Sequence, residues 1–336
     1  NMGRYIYRVQ IAERYHVNFA DAAALVDSPP GVVYGFGRRI GDARMMQQGA
    51  WALQNQETIR HGAGYSLGRE LPLLFSLEQM KTCSATAPLP RDTWLPAIQV
   101  MTARDEEGSD RGLYVAAKGG HNEESHNHND VGHFVVYADG RPVLVDVGVE
   151  VYSAKTFSAD RYDIWTMQSA YHGLPTVNGV MQAPGRQFAA AGVSYDADEA
   201  QACLDLDLAD AYPETAGIQR WNRRVRLLRG QAVEVHDEFE LRQTPDSLEL
   251  SLMTPCTVEE EVTDAGAARL ILRPRALSDG RMSGGATIDL PDGFVVRVEE
   301  RELKDAKLCQ AWGALMYRIV LTVQQPAATG VWDLRI

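Results

Sequence analysis

The hydrophobic rhythm of the chain changes near residue 90. Before that point apolar positions recur at helical spacing. Tyr5, Ile6, Val9, Ile11 and Ala12 form one set, and Ala43, Met46, Ala50 and Leu53 form another. Gly41-Asp42 precedes the second set, with Asp42 placed to cap it. A third helical piece reads from Tyr65 to Leu77, weakened by Gly68 and Pro72, and Ser28-Pro-Pro-Gly marks a loop. After Pro88 short alternating runs take over. They include Leu113 to Ala117, Phe134 to Ala138, Pro142 to Asp146, Arg224 to Leu228, Ala232 to His236, Ser247 to Leu252, Arg269 to Leu272, Phe294 to Val298 and Tyr317 to Val323. Gly230, Asp264-Ala-Gly, Ser278-Asp-Gly and Pro291-Asp-Gly separate several of them. No helical crossovers alternate with the strands. The pattern predicts helices over residues 1–90, too few for an independent domain, followed by a large antiparallel β-sandwich over residues 91–336.

Composition narrows the function. The 336 residues carry 33 Lys+Arg against 45 Asp+Glu, a net charge of −12. That balance argues against nucleic acid as a partner, and it means that a polyanionic substrate needs local cations. The apolar runs are too short to span a bilayer. Cys83, Cys203, Cys256 and Cys309 form no CxxC pair and read as free thiols rather than zinc ligands or a disulfide framework.

The chemistry-bearing residues concentrate between 118 and 182. Four of the eight histidines, His121, His126, His128 and His133, fall within Lys118 to Phe134, and His172 follows. In an extended segment His126 and His128 point to one face. Two imidazoles and a carboxylate form a common divalent-metal set. The carboxylate is Asp146, which ends the apolar run Val143-Leu-Val and is costly to bury unless paired or on a metal. Asp139-Gly140 reads as a two-residue hairpin turn. Its register sets residues whose numbers sum to 279 opposite each other, pairing Asp146 with His133. On register alone His133 competes with His128 as a ligand.

The string His126-Asn-His-Asn-Asp-Val-Gly, then Asp139-Gly-Arg-Pro-Val-Leu-Val-Asp-Val-Gly, then Tyr171-His with Asn178-Gly, resembles the heparinase II/III family of polysaccharide lyases. Tyr15-His-Val-Asn-Phe-Ala-Asp-Ala resembles a segment of that family's helical domain. The resemblance implies an incomplete α/α toroid joined to antiparallel sheets, with this chain holding the last toroid helices and the β-region. It implies that His126 is the catalytic histidine and that His128, Asp146 and His172 hold a structural zinc, preferring His128 over His133. One residue separates ligand from catalyst, so fixing His128 also positions His126.

The implied reaction is β-elimination on an acidic, uronate-containing polysaccharide, which needs a base at C5, an acid at O4 and a group that neutralises the carboxylate. Tyr15 is the candidate acid, with Tyr5 and Tyr7 as alternatives. Arg161 and Arg186 are candidate carboxylate or sulfate binders, Trp165 is a candidate for stacking on a sugar ring, and Arg220-Trp-Asn-Arg-Arg is a possible local basic patch. Two other readings stand beside the lyase. One is a non-catalytic β-sandwich module that binds glycan or braces a toroid. The other is a metal-dependent hydrolase on His126, His128 and Asp146. The resemblance also implies a periplasmic or secreted location.

Overall fold

A computed structural model of the protein describes residues 2–55, 66–262 and 268–336. The helical part is less helical than its spacing predicts. Helix α1 (Tyr5–Arg8) is one turn long, and a hairpin of β1 (Gln10–Ala12) and β2 (Tyr15–His16) follows it. The apolar set from Tyr5 to Ala12 is therefore split between a helical turn and a strand, an ambiguity that short apolar runs carry. What decides it is packing. Val9, Ile11, Tyr15 and Val17 insert into a core shared with Tyr114, Val135, Tyr137 and Trp312 of the β-region.

Three longer helices come next: α2 (Pro30–Ile40), α3 (Ala43–Asn55) and α4 (Leu67–Thr82). Asp42 caps α3 as its position predicts, accepting from the Met45 N–H at 3.0 Å while Arg4 holds its other oxygen. Pro72 lies inside α4 without ending it. Tyr65, the predicted start of this helix, lies outside the described residues. Helices α2 and α3 cross at a glycine: a Cβ on Gly49 would lie 2.7 Å from the Tyr34 backbone nitrogen.

The rest of the chain is built from antiparallel sheets. The first has five strands: β3 (Asp92–Leu95), β4 (Val100–Arg104), β5 (Leu113–Lys118), β7 (Phe134–Ala138) and β8 (Arg141–Leu144), adjacent in that order. A two-stranded ribbon of β6 (His121–Asn122) and β10 (Gly185–Ala189) flanks it. The long sheet has eight strands. In spatial order they are β11 (Ala191–Ala197), β12 (Gln201–Asp207), β13 (Ile218–Leu228), β14 (Ala232–Leu241), β21 (Thr329–Arg335), β18 (Ala286–Asp289), β17 (Ala268–Arg273) and β16 (Thr257–Val262). A third sheet orders β19 (Phe294–Glu302), β20 (Leu315–Val323), β15 (Leu248–Thr254) and β9 (Pro175–Val177), and α5 (Ala306–Trp312) bridges β19 to β20.

Inward-facing residues alternate along these strands and meet in one core. In it Trp221, Phe239 and Trp332 pack ring against ring at centroid distances of 4.7–5.2 Å. The fold is thus mainly β, a sandwich of antiparallel sheets.

The hairpin of β7 and β8 keeps the predicted register only at its tip. Ala138 faces Arg141 and Tyr137 faces Pro142, but Val136 faces Leu144. Val143 is a bulge that shifts every later partner by one. The predicted pairing of Asp146 with His133 therefore does not follow from strand register. Asp146 lies two residues beyond the end of β8, at the start of a long segment of 3-10 turns that carries His172.

Candidate functional site

The loop from Glu123 to Gly132, between β6 and β7, is braced from below. Lys118 on β5 is buried and donates to Asp130 at 2.7 Å and Glu124 at 3.3 Å. Burial alone would lower its pKa, but the two carboxylates reverse that and raise it. The Gln182 amide accepts from the Val131 N–H and Asn122, and donates to the Val131 carbonyl. Asn129 donates to the Gln182 carbonyl, and Asn127 to the Tyr162 hydroxyl at 3.2 Å. Asn178 accepts from the Asp246 and Ser247 N–H groups, so this part of the motif holds a turn. Arg223 on β13 donates to the carbonyls of Gly132 and Gly173, which tethers the loops bearing His128 and His172 to the long sheet.

His128, Asp146 and His172 are buried, and one nitrogen or oxygen from each lies within 4.8 Å of the others. His128 Nδ1, Asp146 Oδ2 and both nitrogens of His172 have no hydrogen-bond partner, an unusual density of orphaned buried polar atoms. Burial raises the Asp146 carboxyl well above its ordinary range and lowers His172 well below the ordinary imidazole value. Two imidazoles and a carboxylate buried with unpartnered lone pairs form a donor set that could hold a divalent metal ion. Asp146 Oδ1 is already occupied by the Gly148 N–H at 2.8 Å, which leaves Oδ2 facing the cluster.

His133 also stands beside this group, 3.6 Å from Asp146 Oδ2. Its Nδ1 accepts from the Gly173 N–H at 2.9 Å, and burial keeps the ring neutral by lowering its pKa. The single ring proton is therefore on Nε2, the nitrogen that faces Asp146, so His133 offers no lone pair there.

His126 and His128 do not share a face. The segment is a turn rather than a strand, and His126 adopts a left-handed φ of 61°. Its side chain is half exposed, whereas that of His128 is fully buried. The two rings meet again at Asp21, whose carboxylate contacts His126 Nδ1 at 2.9 Å and His128 Nε2 at 3.1 Å. Burial would raise the Asp21 pKa, but the histidine contacts and the Arg161 charge outweigh it and hold the carboxyl far below its ordinary value.

His126 borders an open groove of about 540 Å³ that is also lined by Glu123, Glu124, Phe157, Arg161 and Tyr162. Tyr152 stacks beside it, with its hydroxyl 3.3 Å from His126 Nδ1.

The remaining sequence candidates divide. Arg161 lines the groove, but its guanidinium is taken up by the Asn127 and Thr156 carbonyls and Asp21. Arg186 lies at the rim, on the strand that begins at Gly185, and contacts His121 at 3.3 Å. Trp165 packs against Tyr171 and donates to Glu150, away from the groove. Tyr15 is buried between Tyr137 and Trp312, with its hydroxyl accepting from Arg281 at 2.6 Å, and is not brought to His126. Tyr7 is buried in the small helical core. The basic cluster near Trp221 is spent on ion pairs: Arg220 with Glu238, Arg223 with Asp237 and Arg224 with Asp205.

Sequence reasoning missed Asp21 and Tyr152, which lie 105 and 26 residues from His126. Asp21 falls inside the Tyr15 to Ala22 motif, the one sequence signal that points to it.

A family model described as heparinase II/III-like, C-terminal, matches residues 88–325. The chain belongs to the heparinase II/III-like family. Solved structures of the same fold cover it almost end to end. Heparan sulfate lyase HepC from Pedobacter heparinus matches with a TM-score of 0.61 at 14% identity, over 98% of this chain and 44% of that one. The heparinase III BT4657 gene product matches with a TM-score of 0.62 at 12% identity, over 99% and 45%. A further heparinase III gives 0.61 at 13% identity, over 100% and 47%. This heparinase-like chain thus spans under half the length of those proteins. No curated protein matches it in sequence. Among the described residues no helix is long and apolar enough to cross a membrane.

Proposed function

We propose that the chain is the C-terminal part of a polysaccharide lyase that cleaves acidic, uronate-containing polysaccharide by β-elimination. Helices α2 to α4 would be the last helices of a toroid over residues 1–90, joined to the β-sandwich of residues 91–336. The observation that carries the reading is the division of labour between neighbouring histidines. His128 is buried against Asp146 and His172, while His126 faces a groove with a tyrosine hydroxyl beside it. The known substrate of HepC, a heparan sulfate lyase, supports the substrate class.

His128, Asp146 and His172 would hold a zinc ion. Its charge would offset the buried carboxylate and fix the loop that carries His126. In the reaction His126 would take the C5 proton of the uronate. The C5–H electron pair becomes the C4=C5 double bond, the C4–O4 bond breaks, and O4 leaves with a proton from a general acid. Tyr152 is the candidate for that acid within this chain, replacing Tyr15, whose hydroxyl is buried against Arg281. Arg161 would act mainly by holding the loop, and Arg186 at the rim is freer to meet a carboxylate or sulfate. Such a polymer lies outside the cytoplasm, in keeping with a periplasmic or secreted protein.

The burial of Tyr15 against Arg281, away from His126, favours a second reading, a module that binds glycan without cleaving it. Incubation with heparin, heparan sulfate, hyaluronan and alginate tests both. A rise in ultraviolet absorbance from the unsaturated product supports the lyase. Retention on immobilised polysaccharide without such a rise supports the module. Release of saturated ends would indicate a hydrolase instead.

A further inference from the structure

Asp21 comes from the segment between β2 and α2, directly after Ala20, whose φ of 58° turns the backbone at that point. Its carboxylate is 4% exposed and is contacted by four polar side chains. Oδ1 lies 3.1 Å from His128 Nε2 and accepts from Arg161 at 2.7 Å. Oδ2 lies 2.9 Å from His126 Nδ1 and accepts from the Tyr152 hydroxyl at 3.1 Å.

An ionised carboxylate accepts and never donates. The ring nitrogens that face Asp21 must therefore carry their protons: Nε2 of His128 and Nδ1 of His126. A neutral imidazole keeps its lone pair on the other nitrogen. For His128 that nitrogen is Nδ1, which is buried and unpartnered. For His126 it is Nε2. One carboxylate thus leaves opposite nitrogens free on two rings one residue apart. The left-handed φ of His126 makes this possible, because the turn brings its near nitrogen to the same point that His128 reaches with its far one.

We infer that Asp21 is a positioning residue that sets both tautomers, committing His128 to the cluster through Nδ1 and leaving Nε2 of His126 as the nitrogen that takes a proton in the groove. Arg161 keeps the carboxylate ionised and in place, a different task from binding substrate. The role assigned to His126 rests on the lyase reading. The tautomer assignment does not.

The test is a long-range proton–nitrogen NMR correlation on the chain carrying 15N-labelled histidine and loaded with zinc. The signals are assigned with His126→Gln and His128→Gln variants. His126 should show its proton on Nδ1, and His128 should show its proton on Nε2. In Asp21→Ala the His126 proton should leave Nδ1, and zinc affinity, read by competition with a chromophoric chelator, should fall about 10- to 100-fold. Asp21→Asn preserves shape but presents one acceptor and one donor, so at least one of the two rings should change tautomer while the rest of the amide spectrum stays in place. That variant keeps the test valid if Asp21→Ala does not fold. Finding His126 protonated on Nε2 in the unsubstituted chain, or an Asp21→Asn protein with both tautomers and zinc affinity unchanged, overturns the inference. A chain with the expected tautomers but no lyase product supports the positioning role and counts against the lyase reading alone.

Discussion

Removing Arg223 should be among the most damaging single changes available outside the histidine cluster. Its guanidinium is buried on β13, with Nε 2.8 Å and Nη2 2.6 Å from the two oxygens of Asp237, and Nη1 donates to the carbonyls of Gly132 and Gly173. Arg223→Met fills much of the same volume but leaves the buried Asp237 carboxylate without its counter-charge. Breaking a buried pair from one side costs about 3–5 kcal/mol. The two carbonyls also lose a donor, at about 1–3 kcal/mol each if no water replaces it. These costs overlap, and a total of about 4–5 kcal/mol is expected. Arg223→Met with Asp237→Leu removes both charges and leaves only the carbonyls, so the double variant should be more stable than the single one by about 2 kcal/mol or more. Urea denaturation of the native chain, both single variants and the double variant gives the coupling directly. Because Gly132 and Gly173 flank the loops of His128 and His172, bound zinc should fall in the single variant too. A cost below about 1 kcal/mol, or a double variant no better than the sum of the singles, would refute the argument.

Four other outcomes are expected. On the lyase reading, His126→Ala should keep zinc content and melting temperature nearly unchanged and lower turnover by about 100-fold or more. His16 is buried and pushed down to about 4, so below its ordinary value of 6.5 only the unfolded chain takes up this proton. Stability should therefore fall between pH 6.5 and about 4, by on the order of 3 kcal/mol, and His16→Gln should flatten that part of the pH–stability curve. Gly49→Ala places a methyl 2.7 Å from the Tyr34 backbone of α2 and should cost about 1–3 kcal/mol in thermal or urea unfolding. Asp305 accepts from the Lys307 and Leu308 N–H groups at the start of α5 and from the Val151 N–H, so Asp305→Ala should cost about 1–2 kcal/mol.

The β-region was legible because alternation over five or more residues survives any tertiary context that leaves one face buried, as on β13 and β14. The hairpin β1–β2 was not, since Val9 and Ile11 satisfy a helical and a strand spacing equally well until a sheet is present to pack against. The α3 cap was legible for the opposite reason: Asp42 acts on N–H groups within three residues of itself, and local chemistry needs no partner from elsewhere.

The candidate site illustrates the same division between local and distant information. The choice between His128 and His133 could not be made from strand register, because a bulge at Val143 lies between the turn and Asp146 and nothing in Arg-Pro-Val-Leu-Val announces it. What separates the two rings is a proton. A backbone N–H from Gly173 occupies one nitrogen of His133 and forces its proton toward Asp146, while Asp21 occupies the far nitrogen of His128 and frees the near one. Both deciding groups come from distant parts of the chain, 40 and 107 residues away, and neither is a metal ligand or a base in its own right. A motif can therefore name the residue types that chemistry requires, but the nitrogen that each histidine presents is a property of the folded packing. In this chain it is set by one carboxylate carried on the helical side and by one peptide group beside His172.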